Sequence, residues 1–290
     1  MRIKTSQLLL LLTPSSVLLV ALLILPLSAV ALVSLTDWQF GASTLNWVGM
    51  NNYLNLWRDP VFRQSMANTL LYLFIVTSGS LLIGLGTALL IEADNSLRGF
   101  YRSAYFLPAA STLIAMAIVW QFLLHPSIGL VNQTLTSLGL APRNWLQDGQ
   151  TALYALAAIG IWQMAGLAMV LFMAGLKGIP KDLYHAGALD GIEHPWERFT
   201  RITWPLLGPT TLFVVTICAI RALQVFDTVH ALTQGGPNKQ TEVLLHTIYS
   251  EGFSFFRMGY ASAMTVVFVF AIFVITQVQH AAMERRTHYK

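Results

Sequence analysis

Residues 152–205 read ALYALAAIGIWQMAGLAMVLFMAGL followed by KGIPKDLYHAGALDGIEHPWERFTRITWP. The first part, Ala152–Leu176, holds no charged side chain. A bilayer core of about 30 Å needs roughly 20 apolar helical residues to cross it. The second part, from Lys177, packs Lys, Arg, Asp, Glu and His into one short segment. A membrane helix thus hands the chain directly to a charged, water-facing loop.

Working outward, five more stretches read as spans. They are Leu8–Leu35, Ala67–Ile91, Ser103–Leu124, a fifth from Pro205 or Leu206 that carries Arg221 near its far end, and Gly259–Val278. The whole chain is 55% hydrophobic and 10% charged. A soluble globular chain carries about 25% charged residues, so an ordinary cytoplasmic enzyme, a disordered chain and a nucleic-acid-binding domain are excluded. No nucleic-acid partner is expected. The single cysteine, Cys218, lies inside an apolar run and allows neither an intramolecular disulfide nor a Cys-rich metal site. The first apolar stretch is longer than the 7–15 residues of a signal-peptide h-region, so it is expected to be a retained anchor.

Loop charges orient the spans. With the N-terminus inside, the inner segments carry eleven Lys and Arg and the outer segments five, while the acids split seven to six. Basic residues favour the cytoplasmic side and acids contribute little. The expectation is an all-α integral membrane protein with six transmembrane helices, both termini cytoplasmic, and a cytoplasmic loop between helices four and five. Residues 1–66 read as anchor helix and outer loop, 67–281 as a five-helix core, and 282–290 as a basic tail. Ser78, Gly79, Ser80, Gly84 and Gly86 in the second span, and Gly160, Gly166 and Gly175 in the fourth, let helix backbones approach closely.

Within the loop, Pro180 can open a helix with Asp182 in its first turn. Asp190-Gly191 reads as a stop and turn, and Pro195 starts a second short helix. Trp196, Phe199 and Thr203 then share one face, and Glu197 and Arg201 form an i,i+4 pair. Two short helices with a tight bend are expected. Periodicity alone favours an amphipathic surface connector.

The segment resembles the cytoplasmic Glu-Ala-Ala loop of ABC importer permeases: Ala186, Asp190, Gly191, Phe199, Ile202, Pro205 and Pro209 stand at matching positions. The likeness continues through Asn51-Asn52-Tyr53, through Leu97–Arg102 with Phe106-Leu107-Pro108, and through Trp120 with Gly129–Asn132. It includes Phe226-Asp227, Leu232–Pro237 and Gly259–Met264. The Gly-Gly-Pro loop is similar to that of the maltose F-type and glycerol-3-phosphate A-type subunits. Two positions depart from the pattern: His185 stands where the family has Glu, and Gly187 where it has Ala.

The resemblance implies a bacterial inner-membrane permease subunit. Its partners would be a second, different permease, two ATPase subunits and an extracytoplasmic solute-binding protein. The solute would be carbohydrate-like. The loop 181–209, through Tyr184, His185, Ala186, Gly187, Asp190, Gly191, Phe199, Ile202 and Pro205, would transmit the ATPase motion. ATP and Mg would be bound by the partner ATPases, with no cofactor in this chain.

Bottom-up reading agrees that the energy source lies elsewhere, since no G-x-x-x-x-G-K-[ST] loop occurs. His185 and His194 have no zinc-ligand spacing, so no metal is expected. Polar residues facing a bundle interior are the candidates for a solute path: Asn68, Thr69, Gln121, Gln163, Arg221, Gln224 and Asp227. Trp120 and Trp162 flank two of the glutamines, either as a sugar-stacking face or as interfacial aromatics. Arg221 and Asp227 either pair with each other or serve the path. The alternative function is a stand-alone secondary transporter or channel for a small polar solute.

Overall fold

The computed structural model of the chain describes residues 5–93 and 97–284. Arg2, Lys4 and the basic tail residues Arg285, Arg286 and Lys290 lie outside these. The elements are helices, with one isolated bridge between Thr36 and Trp47 among the described residues. In chain order they are α1 (Leu12–Val33), α2 (Asn51–Arg58), α3 (Pro60–Ala93), α4 (Arg98–Ala110), α5 (Leu113–Leu123), α6 (Leu130–Ser137) and α7 (Ala152–Lys177). There follow α8 (Lys181–Leu189), α9 (Pro195–Arg198), α10 (Gly208–Leu223), α11 (Asp227–Leu232), α12 (Leu244–Tyr249) and α13 (Met258–Glu284).

Five segments are long and apolar enough to cross a bilayer: α1, α3, α7, the run Gly208–Leu232 and Met258–Gln279. The sixth differs from expectation. Ser103–Leu124 is not one rod: α4 and α5 meet at 102°. Pro108 removes an intrahelical donor, and Ser111 and Thr112 adopt extended backbone, with ψ of 150° and 132°. The Ser111 hydroxyl donates to the Pro108 carbonyl at 2.7 Å and closes the helix end. Counting the bent pair as one span gives six.

The chain divides into two compact units. The first runs to Arg63 and includes Thr247–Ala271. Here the Asn of the Asn-Tyr motif has a structural use. Asn52 is buried and its amide donates to the carbonyls of Ser34 and Thr36, both at 2.8 Å, just past the end of α1. Tyr53 adds a 2.7 Å hydroxyl contact to Ser34. The side chain and then the backbone N–H of Asn46 donate to Asp37, which holds that carboxyl below the usual carboxylate range. Tyr260 donates to Asp59 at 2.7 Å, and Arg257 pairs with Glu251.

The second unit comprises Gln64–His246 and the residues from Ile272 on. Its core is built on α7. Met169 and Phe172 are fully buried against Ala88 of α3 and against Val214 and Cys218 of α10. Lipid tails are as apolar as these side chains, so close packing rather than escape from water drives such association. Gly84 shows the requirement: a Cβ there would stand 2.5 Å from the Ala168 Cβ. Of the most apolar window of α7, 61% is buried, against none of α1. Asn132 is a second buried amide fastener. Its oxygen accepts from the Trp145 indole and the Arg143 N–H, and its nitrogen donates to the Arg143 carbonyl at 2.8 Å.

Candidate functional site

Between α7 and α10 the charged loop folds as a helical hairpin. Pro180 precedes α8, and Asp182 sits in its first turn. The helix stops at Asp190, and Gly191 turns the chain with φ of +81°, a conformation costing other residues about 1–2 kcal/mol. The Ile192 N–H then donates back to the Gly187 carbonyl at 2.8 Å. His194 caps α9 by accepting the Trp196 N–H at 3.2 Å. The helix continues through one π-helical turn, Phe199–Thr203, into Trp204–Leu206.

The inner face of α8 explains Gly187. A Cβ there would lie 2.6 Å from Ile202 Cδ1, so the missing methyl lets the second helix seat against the first. Tyr184 reinforces this closure. Its hydroxyl is 3.2 Å from Thr203 Oγ1, and the Arg198 guanidinium lies 4.8 Å over its ring. The opposite face of α8 presents His185, Ala186, Leu189 and Asp190 to the surroundings, and Leu189 is 91% exposed. Trp196, Phe199 and Trp204 form a ladder with ring centres 5.8 and 6.0 Å apart. Pro205 is exposed beside it. The Glu197–Arg201 pair forms at 3.9 Å between exposed groups, and such pairs contribute little.

A cavity of about 320 Å³ opens among α3, α4, α7 and the α10–α11 break. It gathers four of the predicted path residues: Gln163, Arg221, Gln224 and Asp227. Arg221 in the last turn of α10 and Asp227 at the start of α11 do not form an ion pair with each other. Tyr72, Phe106, Phe226 and Thr228 complete the polar and aromatic wall. Sequence reading missed these four. Tyr72 stands one helical turn after Asn68, and Phe226 and Thr228 flank Asp227, so neighbourhood to the chosen residues was the available signal.

Asn68, Thr69 and Gln121 are placed elsewhere. Asn68 is buried and donates to the carbonyls of Glu242 at 2.8 Å and Lys239 at 3.3 Å, while Thr69 accepts the Leu244 N–H. Both tie the Gly-Gly-Pro loop to α3. Below that loop the buried Glu242 carboxylate meets His246 Nδ1 at 2.8 Å. Gln121 is exposed on α5 and does not line the cavity. Trp120 and Trp162 meet edge to face at 5.4 Å, also away from the cavity wall. No cluster of His, Cys, Asp or Glu among the described residues is arranged to hold a metal.

A family model described as binding-protein-dependent transport system inner membrane component matches residues 80–289. The chain belongs to this family. It is a multi-pass inner-membrane permease component of an ABC importer and not itself an ATPase. ATP is handled by ATPase partner subunits, and the importer works with a binding protein. The osmoprotective compounds uptake permease protein GgtC of Synechocystis sp. is 35% identical over 90% of this chain and 92% of its own length. The sn-glycerol-3-phosphate transport system permease protein UgpA of Agrobacterium fabrum is 32% identical over 86% of this chain and 85% of its own. The fold matches a crystal structure of a bacterial ABC transporter involved in the import of the acidic polysaccharide alginate, with a TM-score of 0.83 and 23% identity. That match covers 96% of this permease and 95% of that chain. Membership answers the alternative of a stand-alone transporter, because this family's permeases draw their energy from ATPase subunits.

Proposed function

We propose that this permease carries a carbohydrate or carbohydrate-like solute and works beside a second, different permease subunit. Both termini are cytoplasmic, and the 181–209 hairpin takes up the ATPase motion. The observation that carries the solute reading is the cavity. Two glutamines, an arginine and an aspartate converge with three aromatic rings in one space, and amides and charged groups beside aromatic walls suit hydroxyl-rich rings. The names of the relatives, which speak of osmoprotective compounds and of glycerol 3-phosphate, agree with a small polyhydroxylated cargo.

The hairpin reading rests on a closed inner face and an open outer one. Tyr184 and Gly187 lock the two short helices together, which makes a rigid body. His185, Ala186, Leu189 and Asp190 are left for a partner. A rigid hairpin continuous with α7 and α10 converts a push on its outer face into movement of both helices. His185 in place of the family glutamate removes a permanent negative charge from that face.

Co-expression of the tagged chain with its neighbouring genes tests the assembly. The expected complex contains this permease, a different permease and two ATPase copies, and its ATP hydrolysis rises when the solute-loaded binding protein is added. Recovery of this permease only as a homodimer, or with no ATPase subunit, sinks the proposal.

A further inference from the structure

The other side of α7 carries two more hollows. Gly160, Gln163 and Leu167 face the cavity described above, whereas Tyr154, Ala158, Trp162 and Ala165 recur at helical spacing on the opposite face. The first hollow, of about 460 Å³, lies at the end of α7 remote from the hairpin, among Trp120, Val131, Arg143, Trp145, Gln150 and Tyr154. The second, of about 560 Å³, is bounded by Ile83, Tyr105, Pro108, Ile161, Trp162 and Ala165. Ala158 lines both, and Trp120 of one meets Trp162 of the other edge to face at 5.4 Å, so the two join into one groove along α7. The bend of the third span makes the room. α4 touches α7 at Gly166, where a Cβ would run into the Tyr105 carbonyl, and α5 then departs at 102°.

The two ends of the groove differ in chemistry. At its mouth the Arg143 guanidinium has no ion-pair partner among the described residues, and no Asp or Glu lines the hollow. The nearby Asp148 carboxylate accepts the Gln150 N–H at 2.9 Å and is not part of the wall. The mouth is also held in place. Asn132 accepts the Arg143 N–H at 3.1 Å, donates to the Arg143 carbonyl at 2.8 Å, and takes the Trp145 indole N–H at 3.0 Å. Gln150 and Tyr154 add an amide and a phenol hydroxyl. The deep end is apolar and open to its surroundings, with Ile83, Tyr105 and Trp162 exposed. From Tyr154 to Ala165 the helix rises roughly 16 Å, against about 15 Å for the hydrocarbon of one leaflet. A guanidinium forks onto a phosphate, and tryptophan and tyrosine sit at headgroup level. We propose that this groove binds one anionic glycerophospholipid of the leaflet remote from the hairpin, with its phosphodiester on Arg143 and one acyl chain laid along Ala158 to Ala165. A zwitterionic headgroup would bring an ammonium beside Arg143 with no acid in the hollow to receive it, which favours a headgroup without a cation. The bound chain fills the space that the bend opens between α5 and α7.

The test uses the importer purified with its partner subunits in mild detergent and washed free of loose lipid. Dioleoyl phosphatidylglycerol and dioleoyl phosphatidylethanolamine are the probes, counted on the complex by native mass spectrometry. Phosphatidylglycerol should be retained with at least a fivefold preference. Arg143→Ala at the mouth and Ala158→Trp in the slot should each lower its retention at least fivefold while the partner subunits still co-purify. A phosphatidylglycerol with a photoreactive diazirine at the chain end should label peptides around Tyr105 and Ala158–Gly166 of the unaltered chain, a readout independent of how the variants fold. Equal retention of the two lipids overturns the anionic headgroup. Unchanged retention in both variants, or labelling confined to other segments, overturns the site. Loss in Arg143→Ala alone leaves only a surface ion contact and overturns the acyl slot. Loss of a permease partner from Ala158→Trp with lipid retention unchanged makes the groove a subunit interface and overturns the proposal as well.

Discussion

The hairpin and the cavity lie in the same compact unit and are built on opposite principles. The hairpin spends its inner face on closure. Gly187 gives room to Ile202, Tyr184 reaches Thr203 and Arg198, and Gly191 supplies a turn that other residues adopt only at a cost. The cavity leaves the side chains of its strongest groups, Arg221 and Asp227, without ion-pair partners among the described residues. In the proposed importer the hairpin transmits force and needs internal contacts, whereas the cavity binds and releases and needs unmet ones. Substitutions should therefore act in different ways in the two regions: on coupling as a whole in the hairpin, on affinity in the cavity.

The largest effect is expected at the turn. Gly191→Pro demands φ near −65° where the chain has +81°, and it removes the N–H that reaches the Ala188 carbonyl at 3.2 Å. ATP-driven uptake should fall at least a hundredfold while the protein still reaches the membrane, as read by uptake and by membrane-fraction immunoblot. Near-normal uptake would show that the hairpin is only a surface connector and erase the contrast with the cavity. Next comes Gln163→Leu on the cavity wall. Loss of hydrogen bonds to solute should raise KM for uptake roughly tenfold, or about 1.4 kcal/mol, with the maximal rate much less affected. A fall in the maximal rate alone would make Gln163 part of the moving machinery rather than of the binding surface.

A smaller effect is expected at Gly187, together with a rescue. Gly187→Ala brings a methyl into Ile202, and such overpacking costs roughly 1–3 kcal/mol. ATPase co-purification should weaken several-fold and recover in the double variant Gly187→Ala/Ile202→Val, which returns the volume. Failure of the second change to restore assembly would mean that the inner face of the hairpin is not a packed joint.

The two regions also differ in how far the sequence disclosed them. The hairpin is continuous in the chain, so its signals are local. Pro180, Asp190-Gly191 and Pro195 mark its ends and bend, and the structure puts helix, turn and helix there. The spans were legible for the same reason, since a run of apolar residues declares itself. The break in the third span was not, because Ser111 and Thr112 are compatible with a helix and only their extended backbone reveals the 102° bend. The cavity is assembled from residues as far apart as Tyr72 and Thr228. Polarity inside a span pointed to Gln163 and Arg221, but polarity cannot distinguish a group facing ligand from one bonded to backbone. Asn68 looked like the former and is the latter.

Asn68 accordingly gives the smallest effect on transport and the sharpest boundary for the cavity. Its amide donates to two carbonyls of the Gly-Gly-Pro loop, at Lys239 and Glu242. Asn68→Ala removes both of these hydrogen bonds from a buried site, and each is worth about 0.5–1.5 kcal/mol. The purified complex should therefore melt several degrees lower. The wall of Gln163, Arg221, Gln224 and Asp227 is untouched by the change, so KM should shift less than twofold. A large KM change with an unaltered melting temperature would return Asn68 to the solute path and enlarge the cavity's binding surface towards the loop. A melting shift without a KM change would instead confine binding to the four wall residues and leave the buried asparagine as a fastener, like Asn52 and Asn132.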